Sequence, residues 1–385
     1  MATRSNHIPA PPDLLIIGAG IVGLWCALRA VQQGLQVVVV DKGRIGQGAS
    51  GGLLGALMPH RPVNWNEMKA FQLDALLSLE TEISTLEAAT GLDCGYRRCG
   101  RIMPVGAEKF LVDHQRWQAA SQQNWPAALP SGHSLSWQIV DGKSRPDWQD
   151  LTAASVACSF DTLSARVDPR RLIQALVKGV ERAATFVENN QVASISDNGD
   201  VVLADGTLMS AGRVIVSAGY ETFKLLEPNL GCRAGWGVKG QAILVRPQNA
   251  SLANAPIIYG AGTYVVPHDD GLVAIGSTSE RNFTDSEADA AVSQKLMQGA
   301  VGLCPALEGA RIVEEWAGIR PRAAGREPIV GPLPGLPGVI VASGGFKITL
   351  GIAHRIADAA LACAAGKPDT LPDSFAVRHH LAQLP

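Results

Sequence analysis

Six residues, Gly18-Ala19-Gly20-Ile21-Val22-Gly23, constrain this chain more than any other part of it. They follow Asp13-Leu-Leu-Ile-Ile17, a short apolar run that reads as a fully buried strand. Residues 21–33 keep helical spacing, and Gly34 stands where a helix-ending glycine belongs. Val37-Val-Val-Val40 is a second buried strand, and Asp41 ends it. Strand, glycine turn, helix and strand make a βαβ crossover with parallel strands. In such a unit Gly18 permits the tight turn, Gly20 lets the backbone approach a pyrophosphate, and Gly23 allows close helix packing. The helix N-terminus offers unpaired N–H groups to the phosphates, and Asp41 would accept from ribose hydroxyls. A dinucleotide site is expected here.

The glycine pattern does not separate a nicotinamide dinucleotide from FAD. The loop 46–55 helps to do so. Gly48, Ala49, Ser50, Gly51 and Gly52 are small enough to lie against a flat ligand and offer it backbone N–H groups. Taken alone the loop also reads as a flexible surface segment, but it stands directly after Asp41. Outside this loop, whose Gly46-Gln-Gly-Ala-Ser-Gly51 repeats the spacing, the pattern recurs only at Gly235-Trp-Gly-Val-Lys-Gly240, in a stretch that reads as antiparallel strands, so no second strand, glycine turn and helix is present for a nicotinamide domain. FAD is therefore the expected cofactor.

Three further segments carry candidate chemistry. Ser343-Gly344-Gly345-Phe346-Lys347-Ile348 turns from a strand into a helix whose first N–H groups could stabilise charge on the pyrimidine end of a reduced flavin. An ordinary βα turn accounts for the segment equally well. Trp316-Ala-Gly-Ile-Arg320-Pro-Arg322 offers an arginine fork for a carboxylate, or a structural ion pair. Tyr264, in Thr263-Tyr-Val-Val-Pro267, is either a substrate-lining phenol or a sheet residue with a solvated hydroxyl.

The rest of the chain is interleaved. Residues 66–90 read as one long helix closed by Gly91, and Asp168-Pro169 opens another over 169–184. Between 94 and about 160 the pattern is one of short strands, turns and Trp-containing loops. Strands at 186–195 and 201–208 flank an Asn198-Gly199 hairpin turn. Residues 235–280 read as antiparallel strands, and 338–342 as a last buried strand before a helix near 348–365. The expected fold is α/β with an α+β substrate domain. Residues 1–92, 162–226 and 326–385 should form a Rossmann-type FAD-binding domain, interleaved with an antiparallel-sheet substrate domain at 93–161 and 227–325.

Composition narrows the partners. A chain of 385 residues, 46% hydrophobic, with 41 glycines, has enough apolar mass for two cores. The net charge is −2 with no basic run, so no nucleic acid is expected and a small molecule is. Seven cysteines at irregular spacing give no disulfide framework. Cys94 and Cys99, the one close pair, read as half-buried thiols rather than metal ligands, because no His or further Cys completes a set. Met1–Pro12 has no apolar signal region, and no apolar stretch reaches a membrane-spanning length. A soluble cytoplasmic protein is expected, with a homo-oligomer left open.

Together these motifs resemble the D-amino-acid oxidase-like FAD-dependent oxidoreductases, in their glycine oxidase and sarcosine oxidase branch. The resemblance covers nearly the whole chain. It rests on the order of GAGIVG (18–23), GASGGLLGA (48–56), RVDPRRL (166–172), RVIVSAG (213–219), VKGQ (238–241), YVVP (264–267), GLVAIGST (271–278), WAGIRP (316–321) and SGGFK (343–347). It implies non-covalent FAD contacts at Gly18, Gly20, Ile21, Val22, Gly23, Asp41, Lys42, Ala49, Ser50, Gly51, Gly52 and Leu53. It extends them to Val192, Ala218, Gly219, Gly344, Gly345, Phe346, Lys347, Ile348 and Thr349. It also implies that Arg320 grips a substrate carboxylate, that Lys347 is a second basic residue at the site, and that Tyr264 is the strand tyrosine.

Two departures stand out. Sarcosine oxidases place a lysine over the flavin in the strand matching Gly271–Gly276, where this chain has Val273 and Ala274. The glycine oxidase turn HFRNG is here GFKIT. The electron acceptor thus stays open between oxygen and a carrier. The expected reaction is oxidation of the C–N bond of a small amino acid or N-substituted amino acid, by hydride transfer to flavin N5, giving an imine that hydrolyses. The flavin carries the chemistry, so no catalytic side chain and no metal are named. The alternatives are a 2-hydroxy-acid or amine dehydrogenase using a carrier, or a flavin-binding subunit of a larger complex.

Overall fold

The computed structural model describes residues 11–143, 148, 150, 153–248, 252, 254–368 and 371–384. The chain forms two units. Met1–Gly51, Ile173–Val238 and Ile319–Pro385 make the first; Gly52–Leu172 and Lys239–Gly318 make the second.

The first unit is built on a six-stranded sheet in the order Ile329–Leu333, Leu336–Ser343, Arg213–Val216, Leu14–Ile17, Val37–Val40, Ala184–Val187. The last five strands are parallel, and Ile329–Leu333 pairs antiparallel at the edge. Leu14–Ile17 and Val37–Val40 are buried at every position, which a parallel sheet covered on both faces requires. Helix Ile21–Gln32 packs with helix Thr349–Ala364: Arg29 Nε lies 2.8 Å from Asp358, and the Trp25 and His354 rings are 5.8 Å apart. The core gathers alternate residues of the central strands, such as Leu15, Ile17, Val38, Val40, Val214 and Val216.

Residues 186–195, read above as one strand, divide into two. Ala184–Val187 joins the parallel sheet, and Val192–Ile195 joins a separate three-stranded sheet with Val201–Leu203 and Leu208–Met209. Asn189 makes the break, with φ at 55°. Asparagine tolerates that left-handed conformation better than most residues, and the apolar pattern on either side hid the turn.

The second unit holds the strands Trp137–Val140, Ala157–Asp161, Arg101–Val105, Ile257–Gly260, Thr263–Pro267 and Val273–Gly276, in that order in an eight-stranded sheet. Gly235–Arg246 and Arg311–Ala323 continue the order, and each contains a boundary residue between the units. The sheet was expected to be antiparallel. One pair is not: Arg101–Val105 and Ile257–Gly260 run parallel, because they come from two distant stretches of chain rather than from one hairpin. The two faces separate cleanly. Ile258, Val265 and Ile275 pack on one side with Leu296 and Ala300 of helix Ala290–Val301; Ile257, Val266 and Ala274 pack on the other.

Helix Glu67–Thr90 begins at Asn66, whose side chain accepts from Lys69 N, and ends at Gly91 with φ at 72°. It belongs to the second unit, tied there by Gln72 and by an Arg98–Glu80 pair at 2.9 Å, whereas residues up to 92 were read with the first. Its apolar stripe declares a buried face but not which sheet receives it. Helix Glu108–Asn124 was not anticipated. It buries only His114, Trp117 and Ser121, too few for a visible period. No helix among the described residues is long and apolar enough to cross a membrane.

Candidate functional site

The register of the parallel sheet gathers the motifs. Ile17 lies level with Val40 and Val216, Val216 with Val341, and Val40 with Val187. The chain therefore leaves five strands at one edge. Strand order reverses at Leu14–Ile17, where open α/β sheets bind ligands. Gly18–Gly23, Asp41–Lys42, Ala218–Gly219 and Gly344–Thr349 are the segments that leave this edge.

The glycine turn is packed so that other residues are excluded. A Cβ on Gly18, at φ 104°, would stand 2.5 Å from Ser217 O, and one on Gly23 would stand 1.9 Å from Gly18 O. Gly20 differs: its Cβ would meet only the Ser50 side chain, at 3.1 Å. Helix Ile21–Gln32 starts with no side-chain cap and no acid in its first turn. Ala19 N donates to Asp41 Oδ2 at 2.7 Å, Gly43 N to Asp41 Oδ1 at 2.8 Å, and Ile21 N to Ser50 Oγ at 3.0 Å. Helix-start donors, a fixed carboxylate and no Cβ in the approach suit the pyrophosphate and ribose of a dinucleotide.

The other cofactor candidates fall as follows. Ala49, Ser50 and Gly51 form one short 3₁₀ turn. Gly52 and Leu53 continue into the second unit, where Leu53 O accepts from His268 Nε2 at 3.0 Å. Lys42 pairs with Glu221 at 2.7 Å and stands 5.5 Å from the centre of the Tyr220 ring. Val192 is buried at the start of its strand. Gly219 takes φ 60°, and its carbonyl accepts from Ser343 Oγ at 2.9 Å. Thr349 Oγ1 donates to Phe346 O at 3.2 Å. Phe346 itself has φ at 48°, a conformation that side chains other than Gly rarely hold outside functional turns. Cys94 and Cys99 are free thiols, and burial pushes the Cys94 thiol up to about 12.

A cationic cluster stands at the Gly344–Thr349 turn. In strand Arg311–Ala323, alternation puts Arg320 and Arg322 on one face, with Ile319, Pro321 and Ala323 buried on the other. Arg322 bridges to the backbone of Gly345, and its guanidinium lies 5.0 Å from the centre of the Phe346 ring. Lys347 Nζ lies 5.8 Å from the same ring. Burial, then the charges of Arg320 and Arg322, hold the Lys347 ammonium below the usual lysine range. The structure thus brings Arg320 and Lys347 together and adds Arg322, which the sequence reading left without a role. Its signal was the two-residue spacing from Arg320 on a strand. Tyr264 sits in the second unit, with its ring 4.7 Å from that of Tyr259 and packed on the face that carries Ala274 and Trp316.

A family model described as FAD dependent oxidoreductase matches residues 13–359. The chain belongs to this family. FAD is the cofactor of this oxidoreductase. The glycine oxidase of Pseudomonas putida is 26% identical to it over 367 residues, covering 87% of this chain and 89% of that protein. Glycine oxidase from Geobacillus kaustophilus superposes with a TM-score of 0.84 at 22% identity, over 95% of this chain and 98% of the other. Iminodiacetate oxidase from Chelativorans sp. BNC1 gives a TM-score of 0.82 at 22% identity, over 94% and 98%. The two solved structures share the oxidoreductase's fold, an FAD-binding α/β unit with a sheet-built second unit.

Proposed function

We propose that this oxidoreductase oxidises the C–N bond of a small amino acid or N-substituted amino acid. The observation that carries the reading is the Arg320, Arg322 and Lys347 cluster beside the Phe346 turn, at the edge where the dinucleotide segments emerge. Three cations of this kind suit a carboxylate, which an arginine fork holds in a fixed plane. Relatives named glycine oxidase and a neighbour named iminodiacetate oxidase support the same substrate class.

FAD, when bound, supplies the two-electron oxidation. The protein supplies position and field. Arg320 grips the carboxylate, and Lys347 adds a second charge. Anchoring one end of a small molecule fixes the direction of its reacting C–H bond, and that orientation is a large share of the rate such a site can provide. The product imine hydrolyses in water, and no side-chain base is needed before hydride transfer when the amine binds neutral. The first unit is read as the FAD domain and the second as the substrate domain. Oxygen or an electron carrier takes the electrons, and the protein works in the cytoplasm.

Anaerobic bleaching of the flavin tests this. Glycine, N-alkyl amino acids, D-amino acids and 2-hydroxy acids are mixed in turn with the yellow protein. Bleaching by an amino acid is expected, and admitting air then separates oxidase from dehydrogenase. Bleaching by hydroxy acids alone would overturn the amine reading.

A further inference from the structure

We propose that His380, on helix Val377–Leu381, is a positioning residue for the arginine strand: as a neutral imidazole it clasps the turn that follows Arg320 and Arg322, and so fixes where that strand ends. The clasp stands on hydrogen bonds within the first unit; its effect on substrate rests on the function proposed above.

The strand that carries Arg320 and Arg322 ends at Ala323, and the next begins at Ile329. Between them Arg326 holds φ at 69°, a left-handed conformation that persists only with support from its surroundings. Helix Val377–Leu381 brings that support. Gly325 N donates to His380 Nδ1 at 3.0 Å, and His380 Nε2 lies 3.1 Å from Pro328 O. One imidazole therefore spans the turn and holds a residue near each end of it. The fit is close: a Cβ on Gly325 would stand 2.8 Å from Nδ1.

The partners settle the tautomer. A backbone N–H only donates and a carbonyl only accepts, so Nδ1 is bare and Nε2 carries the proton. His380 is fully buried. A second proton, on Nδ1, would face the Gly325 N–H and place a charge away from water. Burial comes first in holding His380 below the usual histidine range; the Pro328 carbonyl opposes it, and His379, whose ring is 6.2 Å away, adds to it. Of the other charges on the surrounding elements, Asp373 pairs with Arg378 at 3.1 Å, Arg326 and Glu327 lie in the turn, and strand Ile329–Leu333 carries none. The clasp is thus whole above the ordinary histidine value, ~6.5, and weakens as pH falls below it.

The clasped turn abuts the Gly344–Thr349 turn. A Cβ on Gly344, at φ 82°, would stand 2.8 Å from Ala323 Cβ and 3.3 Å from Ile329 N. Ile329 lies level with Ser343, and Arg322 bridges to Gly345. A shift of the clasped turn is therefore passed to the backbone on which Arg322, Phe346 and Lys347 stand. The helix that presents His380 has an apolar seat of its own: Phe375 and Val377 are buried, and Val377 shares a core with Ala323, Ile329 and Leu333. His380 is the polar part of that seat, and the part that a proton changes.

The test compares wild type, His380→Gln and His380→Leu as FAD-loaded proteins. Glutamine offers an acceptor and a donor side by side and does not titrate, whereas leucine offers neither. Hydrogen–deuterium exchange is followed from about pH 8 to about pH 5, across the ordinary histidine value. After correction for intrinsic rates, the wild-type amides of Gly325 and of residues 377–381 should lose about tenfold in protection as pH falls, the worth of one hydrogen bond. His380→Gln should keep its protection, and His380→Leu should lack it throughout. Formate, which stays ionised over this range, is titrated alongside and read by the flavin spectrum. At the upper pH it should bind His380→Leu about tenfold more weakly than wild type, and His380→Gln as wild type does. At the lower pH wild type should fall behind His380→Gln. Protection that falls with pH equally in wild type and His380→Gln overturns the clasp. Formate bound as tightly by folded His380→Leu as by wild type overturns the positioning role; where that variant does not fold, equal binding by wild type and His380→Gln at the lower pH does the same. Wild type that takes no formate, with the exchange contrast intact, overturns the carboxylate role of Arg320 and not the clasp.

Discussion

Asp41 Oδ2 accepts the amide proton of Ala19 at 2.7 Å, which ties the acid ending one strand to the glycine turn that follows its neighbour. The carboxylate is therefore aimed before any cofactor arrives. Asp41→Ala removes both the tie and the ribose acceptor, and should weaken FAD binding about 10–100-fold, the worth of a charge-assisted hydrogen bond. Asp41→Asn keeps an acceptor for Ala19 and should lose roughly tenfold or less. Titration of apoprotein with FAD, read by flavin fluorescence, checks both.

Gly23 and Gly34 give opposite expectations for the same substitution. A Cβ on Gly23 would stand 1.9 Å from Gly18 O, whereas Gly34, at φ 79°, has nothing within 4 Å. Gly23→Ala should destabilise by more than about 3 kcal/mol and give colourless protein. Gly34→Ala should cost about 1 kcal/mol through backbone strain and stay yellow. Thermal melts with flavin content measure the contrast.

Arg320→Ala should raise KM by about 100-fold or more while FAD stays bound, as expected when one partner of a carboxylate pair is truncated. Arg322→Ala should raise it about tenfold, since the Arg322 guanidinium is also engaged with the Phe346 ring. An unchanged KM for every active amino acid would remove Arg320 from the site.

Lys347 titrates below the ordinary lysine range because it is half-buried beside Arg320 and Arg322. It is charged below that lowered value and neutral above it, so affinity for a carboxylate should fall as pH rises through it. The alkaline limb of kcat/KM should move away under Lys347→Arg, whose charge persists at that pH.

His114 is held neutral in the fold, down to about 4. Its folded value is depressed, so below the unfolded value, ~6.5, the unfolded chain takes up a proton that the fold refuses. The stability it contributes is whole above ~6.5 and is lost as pH falls toward 4, by an amount on the order of 2 kcal/mol. His114→Gln should flatten that part of a melting-temperature profile.

The first unit was readable because its signals are local. Glycines at 18, 20 and 23, an acid at 41 and two all-apolar strands each need only their neighbours in the chain to state a βαβ turn. Helix Glu67–Thr90 announced both its ends, through Asn66 and Gly91. Helix Glu108–Asn124 did not, because a helix that buries three side chains has almost no apolar period. The break at Asn189 was hidden by apolar residues on either side of it.

By itself, then, the sequence determined the dinucleotide turn, the acid that faces it, the order of strands and helices along the chain, and a family whose members use FAD. Tertiary structure alone decided which distant residues meet. Parallel register brought the ends of five strands to one edge. Strand alternation put Arg322 beside Arg320, and helix packing set His380 against the turn that follows them. The physical reason is one of range. Turn geometry and helix ends depend on neighbouring residues, while the potential at a site depends on charges that only packing brings within a few ångströms.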